Sequence, residues 1–198
     1  FPFPYLYLGP FLEMAGYSVV VIDARVDKEW CHRIETEIDD CLAFGVTSMS
    51  GPDLKAALEA SHIVRGVRPD LPVLWGGHHV SALPDQALLE GVADFVFLGP
   101  SEFTLPKVVD AIEQKTNVPN LPGVIWKSKD GQIQGNKTVS PAIFDYDVQP
   151  GYHLLDLEKY RSINNVAAYF KTRGCPFKCT FCATGNFDTS TRTKDQYQ

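Results

Sequence analysis

Four nearly continuous apolar runs, residues 17–23, 42–48, 71–77 and 93–99, recur along the first half of the chain and are separated by stretches of a different period. A run that stays apolar at successive positions, rather than at every second one, suits a strand covered on both faces. The stretches between have helical spacing. Trp30, Ile34 and Ile38 repeat every four residues, Leu54, Ala57, Leu58 and Ser61 follow a three-four pattern, and Leu105, Val108, Val109 and Ile112 do the same. Strands joined by helices of this length imply right-handed crossovers, so the pattern predicts an α/β fold with a parallel, doubly wound sheet. Such sheets take ligands beyond the carboxyl ends of their strands. Ser50 and Pro52 predict a helix start with Ser50 as cap, and Gly16 predicts a helix end.

The boundaries of this unit follow from what surrounds it. A helical stretch over residues 8–15 precedes the first apolar run, whereas a doubly wound domain opens on a strand. A first strand is therefore expected to be missing from the sequence, and the lack of an initial Met agrees with a fragment. After residue 115 the composition changes: residues 117–122 read as a linker, and the stretch that follows predicts a hairpin turning at Asp130 and Gly131. A polar, proline-punctuated connection fills residues 136–165, and residues 166–172 predict a new strand running into a cysteine-rich loop. The expected organisation is a Rossmann-like domain over 1–116, a hairpin and linker over 117–165, and the truncated start of a second domain over 166–198.

Bulk properties exclude several classes. With 198 residues and 44% hydrophobic composition the chain can bury a sizeable core. A formal charge of -6 and the absence of any Lys or Arg run leave no footprint for a phosphate backbone, so nucleic acid is not an expected partner. The apolar first twelve residues lack a basic leader and carry Pro2, Pro4 and Pro10, so they read as neither a signal peptide nor a membrane span. Five cysteines is an odd count, and three fall within eight positions, which points to a reducing compartment, the cytoplasm, and to metal or redox use.

Those three, Cys175, Cys179 and Cys182, have the spacing C-x3-C-x2-C directly after a predicted strand. A cubane iron-sulfur cluster usually takes four thiolates; three leave one iron without a protein ligand. By analogy with three-ligand zinc sites, an open position is a feature of catalysis more than of structure. Structural zinc would need a fourth ligand, and the nearest His is His153, far upstream. Plain buried thiols do not account for three so close together between Gly174 and Gly185.

The stretch RGCPFKCTFC resembles the signature of the radical S-adenosylmethionine superfamily, with Phe181 at its aromatic position. The preceding residues resemble the cobalamin-binding domain attached to one large branch of that superfamily. The pattern runs through AGYSVVVID, GVTSMSG, LWGGHHVS and FVFLGPSE to the hairpin LPGVIWKSKDGQI and the connection LLDLEKYR. The resemblance implies that Cys175, Cys179 and Cys182 hold a 4Fe-4S cluster whose open iron is chelated by S-adenosylmethionine, which is cleaved to a 5'-deoxyadenosyl radical. Phe181 would lie against the adenine, or alternatively pack under the loop.

For cobalamin, the resemblance places Thr47 and Met49 against the nucleotide tail. Gly76 and Gly77 match a glycine pair that lets the backbone approach that tail. His79 matches a His often found after the pair, although loop histidines such as His78 and His79 read more simply as solvated or hydrogen-bonded than as cobalt ligands. Glu102 is the matched residue of a Gly-Glu-Gly-Glu loop that here reads Gly99-Pro-Ser-Glu, with Ser101 as a candidate helix cap. Asp23 reads as a loop-ordering residue, there being no G-x-G-x-x-G anywhere. The lower-ligand motif Asp-x-His-x-x-Gly is also absent; it would follow the missing strand.

The leading expectation is a cobalamin-dependent radical enzyme that methylates an unactivated carbon, acting on a small molecule or peptide with an external flavodoxin- or ferredoxin-like electron donor. A ring-forming or rearranging enzyme of the same branch is the first alternative. A methylthiotransferase would carry three more cysteines upstream, where only Cys31 and Cys41 occur, both readable as small buried hydrophobes. The non-enzymatic alternative is a cobalamin-sensing domain with a structural metal site. The 198 residues alone are expected to be inactive.

Overall fold

The opening helix begins earlier than its pattern predicts. In the computed structural model, which describes residues 2–128, 130–139, 148–161, 172–173, 175, 177, 179–182 and 192–193, α1 spans Phe3–Met14. Pro4 sits in its first turn, where no backbone N–H is needed. The helix ends at Ala15 and Gly16, and the left-handed φ of +94° at Gly16 bears out the expected stop. Pro10 lies inside the helix and cannot donate to the carbonyl of Leu6. That carbonyl instead accepts the backbone N–H of Gly151 at 2.8 Å.

The elements that follow are α2 (Trp30–Glu37), β1 (Phe44–Thr47), α3 (Pro52–Val67), β2 (Val73–Gly76), α4 (His78–Ala82), α5 (Gln86–Leu89), β3 (Phe95–Phe97) and α6 (Leu105–Glu113). The hairpin is β4 (Val124–Lys127) and β5 (Ile133–Asn136). Three of the four apolar runs thus become strands. They form one sheet in the order β1-β2-β3-β4-β5, parallel from β1 to β3 and antiparallel from β3 to β5. The hairpin turns where Asp130 and Gly131 predict, and it extends the same sheet.

Alternation along the strands divides the core into two layers. Val46, Val73, Trp75 and Val96 face a cluster with Ile34 of α2 and Ile38 just after it, Ala57, Ala60 and Val64 of α3, and Leu88 of α5. Leu74, Phe97 and Val124 face Val108 and Val109 of α6, with Leu12 of α1 packed alongside. Helices therefore cover both faces, as the doubly wound reading requires. Trp75, 1% exposed, would bury an unsatisfied indole N–H, but that group donates to Ser61 Oγ at 2.9 Å.

Residues 17–23 correct the strand assignment made from their apolar run. They lie between α1 and α2 without a ladder partner, and the edge of β1 away from β2 is unpaired among the described residues. Apolar composition makes a segment fit for a sheet, but a ladder needs a neighbour. The segment is nonetheless anchored: Tyr17 donates to Asp110 at 2.6 Å on α6, and Ile22 packs against the first cluster.

Two expected caps are also corrected. The residue before α3 is Gly51, and no side chain caps that helix; Ser50 is engaged elsewhere, though Pro52 does occupy the first helical position. Thr104, not Ser101, precedes α6, and Ser101 supplies its carbonyl to the N–H groups of Thr104 and Leu105. Beyond the sheet, residues 148–161 hold a short 3-10 turn at Tyr152–Leu154 and α7 at Leu157–Arg161. Thr172–Arg173 (β6) pairs antiparallel with Arg192–Thr193 (β7), and the rest of the predicted strand over 166–172 lies outside the described residues.

Candidate functional site

Thr47 ends β1 and Gly76 ends β2, and the two are register partners. The loops that follow therefore leave the sheet side by side, at the carboxyl ends of parallel strands. They are bonded to each other. Ser48 donates to the Gly76 carbonyl from its backbone N–H at 2.8 Å and from its hydroxyl at 3.0 Å. His79 returns its backbone N–H to the Ser48 carbonyl at 3.1 Å.

Gly77 makes this approach possible. Its φ is +100°, and a Cβ there would lie 2.5 Å from Ser48 O, 2.8 Å from Ser48 N and 3.0 Å from Thr47 Oγ1. The third loop joins through Ser81, whose hydroxyl donates to the Gly77 carbonyl at 2.8 Å and accepts the Gly99 N–H at 2.9 Å. Three loops at one sheet edge are thus laced into a single rim.

The other predicted residues take distinct places. His79 is buried, 8% exposed, and its Nδ1 shares a 3.0 Å hydrogen bond with Ser50 Oγ, which explains why Ser50 does not cap α3. Met49 stands 52% exposed on the rim, while Glu102, in the loop after β3, is buried. Ser48 and Ser81, which carry the loop-to-loop bonds, were not singled out by sequence. Ser81 sits four residues after Gly77, one helical turn on, and that spacing is the only local sign of its role.

The cysteine loop is exposed. Cys179 and Cys182 lie at the surface with Cys175 half-buried, none of the three is in a disulfide, and a turn bond from Cys182 N–H to the Cys179 carbonyl spans 3.1 Å. Phe181 is 91% exposed beside them and packs neither under the loop nor against a core. Among the described residues no three His, Cys, Asp or Glu side chains converge on a point that could hold a metal ion. What fits a cluster is the donor chemistry, three thiols within eight positions of the chain, two of them at the surface. Cys31 and Cys41 are half-buried; the Cys41 thiol donates to the Glu37 carbonyl at 3.1 Å, and burial pushes both thiols up, away from thiolate.

A second polar centre lies at the end of residues 17–23. Asp23 accepts Arg25 Nε at 2.9 Å, Arg25 Nη2 at 2.8 Å and the Tyr160 hydroxyl at 2.8 Å. This is the loop-ordering role expected of it. Burial opposes ionisation of Asp23, but the bonds from Arg25 and Tyr160 outweigh it and hold the carboxyl below its usual value. Arg33 does the same for Asp27, which also meets Lys159 at 3.3 Å. A depressed folded pKa contributes stability that is complete above the unfolded value, about 3.9, and is lost as pH falls through the folded one. Chemical denaturation should therefore give a flat midpoint from about pH 7 to 5 and a decline below about pH 4. Asp23→Asn should start less stable and lose less over that acid limb; an identical decline in the variant would remove Asp23 from the account.

Burial also pushes the hydroxyl of Tyr5 up to about 12, against the pull of the Thr47 backbone N–H that it accepts. Tyr5 thereby touches the same strand end that opens the site.

Comparison with known proteins places these observations. The B12 binding domain family matches residues 1–109. Anaerobic magnesium-protoporphyrin IX monomethyl ester cyclase of Rubrivivax gelatinosus is 27% identical over 96% of this chain and 36% of its own length. Hopanoid C-3 methylase of Methylococcus capsulatus is 23% identical over 89% of this chain and 34% of its own. The chain thus spans about a third of the length of these relatives. Among solved structures, the radical S-adenosylmethionine methyltransferase TsrM of Kitasatospora setae, with cobalamin and a 4Fe-4S cluster bound, shares the fold at TM-score 0.74 and 22% identity, covering 97% of this chain and 40% of that one. No helix among the described residues is long and apolar enough to cross a membrane.

Proposed function

Because the chain belongs to the B12 binding domain family, we propose that it is the cobalamin-holding and cluster-bearing portion of a radical S-adenosylmethionine enzyme that methylates an unactivated carbon. The observation that supports this reading is the rim of three loops bonded together around Gly77 at the carboxyl ends of parallel strands, the place where such sheets take ligands. When bound, cobalamin would supply a methyl carrier and the cluster an electron for splitting S-adenosylmethionine.

The residues present have definable tasks. Thr47 and Met49 offer a hydroxyl and an apolar group at one loop, and Gly76 and Gly77 give the close approach at the next. His79, held by Ser50 through its Nδ1, would order the rim beside the cofactor. Glu102 supports the third loop from within. Cys175, Cys179 and Cys182 are the cluster donors, and Phe181 is free at the surface to meet adenine. We assign residues 1–116 to the cobalamin domain, 117–165 to the hairpin and linker, and 166–198 to the start of the radical domain. The substrate is a small molecule or peptide, the electrons come from a flavodoxin- or ferredoxin-like donor, nucleic acid is not a partner, and the setting is the cytoplasm. A ring-forming reaction is the second reading, favoured by the similarity to the Rubrivivax cyclase.

Anaerobic reconstitution of the full-length protein tests the proposal. Iron and sulfide near four each per chain, stoichiometric uptake of hydroxocobalamin, and methionine release on adding dithionite and S-adenosylmethionine are expected. One bound zinc with no cleavage would reject it in favour of the structural-metal alternative.

A further inference from the structure

Residues 148–161 read in sequence as a polar connection, yet the structure binds them to α1 and to the loop after residue 23 at five separate points. Pro10 leaves the Leu6 carbonyl without its helical donor, and Gly151 N–H fills that place at 2.8 Å. Gly9 has no Cβ, and the side chain of Leu154 occupies the space a Cβ would take. Glu13 pairs with His153 Nε2 at 2.8 Å, and Asp27 with Lys159 at 3.3 Å. The last contact is the buried one: Tyr160, 6% exposed, donates to Asp23 at 2.8 Å.

Tyr5, on the same helix α1, is hydrogen-bonded to the backbone of Thr47 at the strand end, and the chain beyond Tyr160 runs on to Cys175. A linker free to sample space would leave the two cofactor regions at variable separation; a docked strap fixes one against the other.

We propose that residues 148–161 are a strap docked on α1 and that the Tyr160–Asp23 hydrogen bond is its latch, a positioning contact that sets the cysteine loop relative to the strand-end rim. The contact holds neither cofactor itself. Its positioning role rests on the functional reading above, whereas the docking does not.

Two measurements on the full-length protein separate these parts. In hydrogen exchange followed by mass spectrometry, Tyr160→Phe and Asp23→Ala should each speed exchange of peptides covering 148–161 by about tenfold, with the double variant close to Asp23→Ala because both remove the one bond between them. Exchange at the parent rate in Tyr160→Phe overturns the latch, whether or not any cofactor is present. With hydroxocobalamin and cluster loaded and both reduced to paramagnetic states, the dipolar interaction between them should show one distance in the parent and a broadened spread in Tyr160→Phe, at unchanged iron and cobalt content. An unbroadened distance overturns the positioning role. Absence of iron and cobalt from the parent would sink the functional reading instead, leaving the exchange result to judge the strap.

Discussion

Cys179→Ala, made in the full-length protein and reconstituted anaerobically, is expected to hold no cluster: iron and sulfide fall from about four each per chain to near zero, and methionine release falls to background. The reasoning is ligand count. The chain offers three thiols within eight positions, and among the described residues no group of three or more His, Cys, Asp or Glu side chains could hold a metal in their place. Two thiolates cannot support a cubane for which three are already one fewer than usual. Cys41→Ala is the matched control, because its thiol is spent on the Glu37 carbonyl and packs against the first core cluster. That variant should keep its iron. Turnover retained in Cys179→Ala, or iron lost equally in Cys41→Ala, would remove the cysteine loop from the chemistry.

The second large effect belongs to Gly77→Ala. Nothing about a methyl group is large, but here it would fall 2.5 Å from a carbonyl oxygen and 2.8 Å from an amide nitrogen of Ser48, both backbone atoms held by their own hydrogen bonds. The residue must also keep a φ of +100°, which a Cβ disfavours. Relief requires the first two loops to part, breaking the bonds from Ser48 to Gly76 and from His79 to Ser48. We expect a loss of about 3 kcal/mol in stability, a fall in Tm of about 6–12 °C, and hydroxocobalamin affinity weakened by at least about tenfold. Gly45→Ala is the comparison, since a Cβ there meets nothing within 4 Å. Should Gly77→Ala melt and bind like Gly45→Ala, the contact between the loops would not be a constraint on the site.

How far the sequence foretells all this depends on the range of the interactions involved. The strands at Phe44–Thr47, Val73–Gly76 and Phe95–Phe97 and the helices at Trp30–Glu37, Pro52–Val67 and Leu105–Glu113 are written in apolar periodicity, which is local. The hairpin is written in Asp130 and Gly131. Residues 17–23 mislead because periodicity reports burial, while a ladder depends on a neighbour elsewhere in the chain. Ser50 misleads for a related reason: a serine before a helix is a cap unless a better partner arrives, and His79 arrives from the start of α4, 29 residues away. The candidate rim was legible only in part. Glycines at 76 and 77 announce a close approach, but they do not say that Ser48 is what approaches. The contact between Tyr160 and Asp23 spans 137 residues and leaves no trace in either neighbourhood.

Pro10 has a practical meaning for anyone seeking a sturdier version of this protein. Rules of helix propensity mark a proline in that position for replacement by alanine, with an expected gain. Here the substitution would restore a rung inside α1 and set it in competition with Gly151 for one carbonyl oxygen. The helix would be repaired at the expense of its grip on the segment that crosses it, so an apparent flaw is the position to leave untouched.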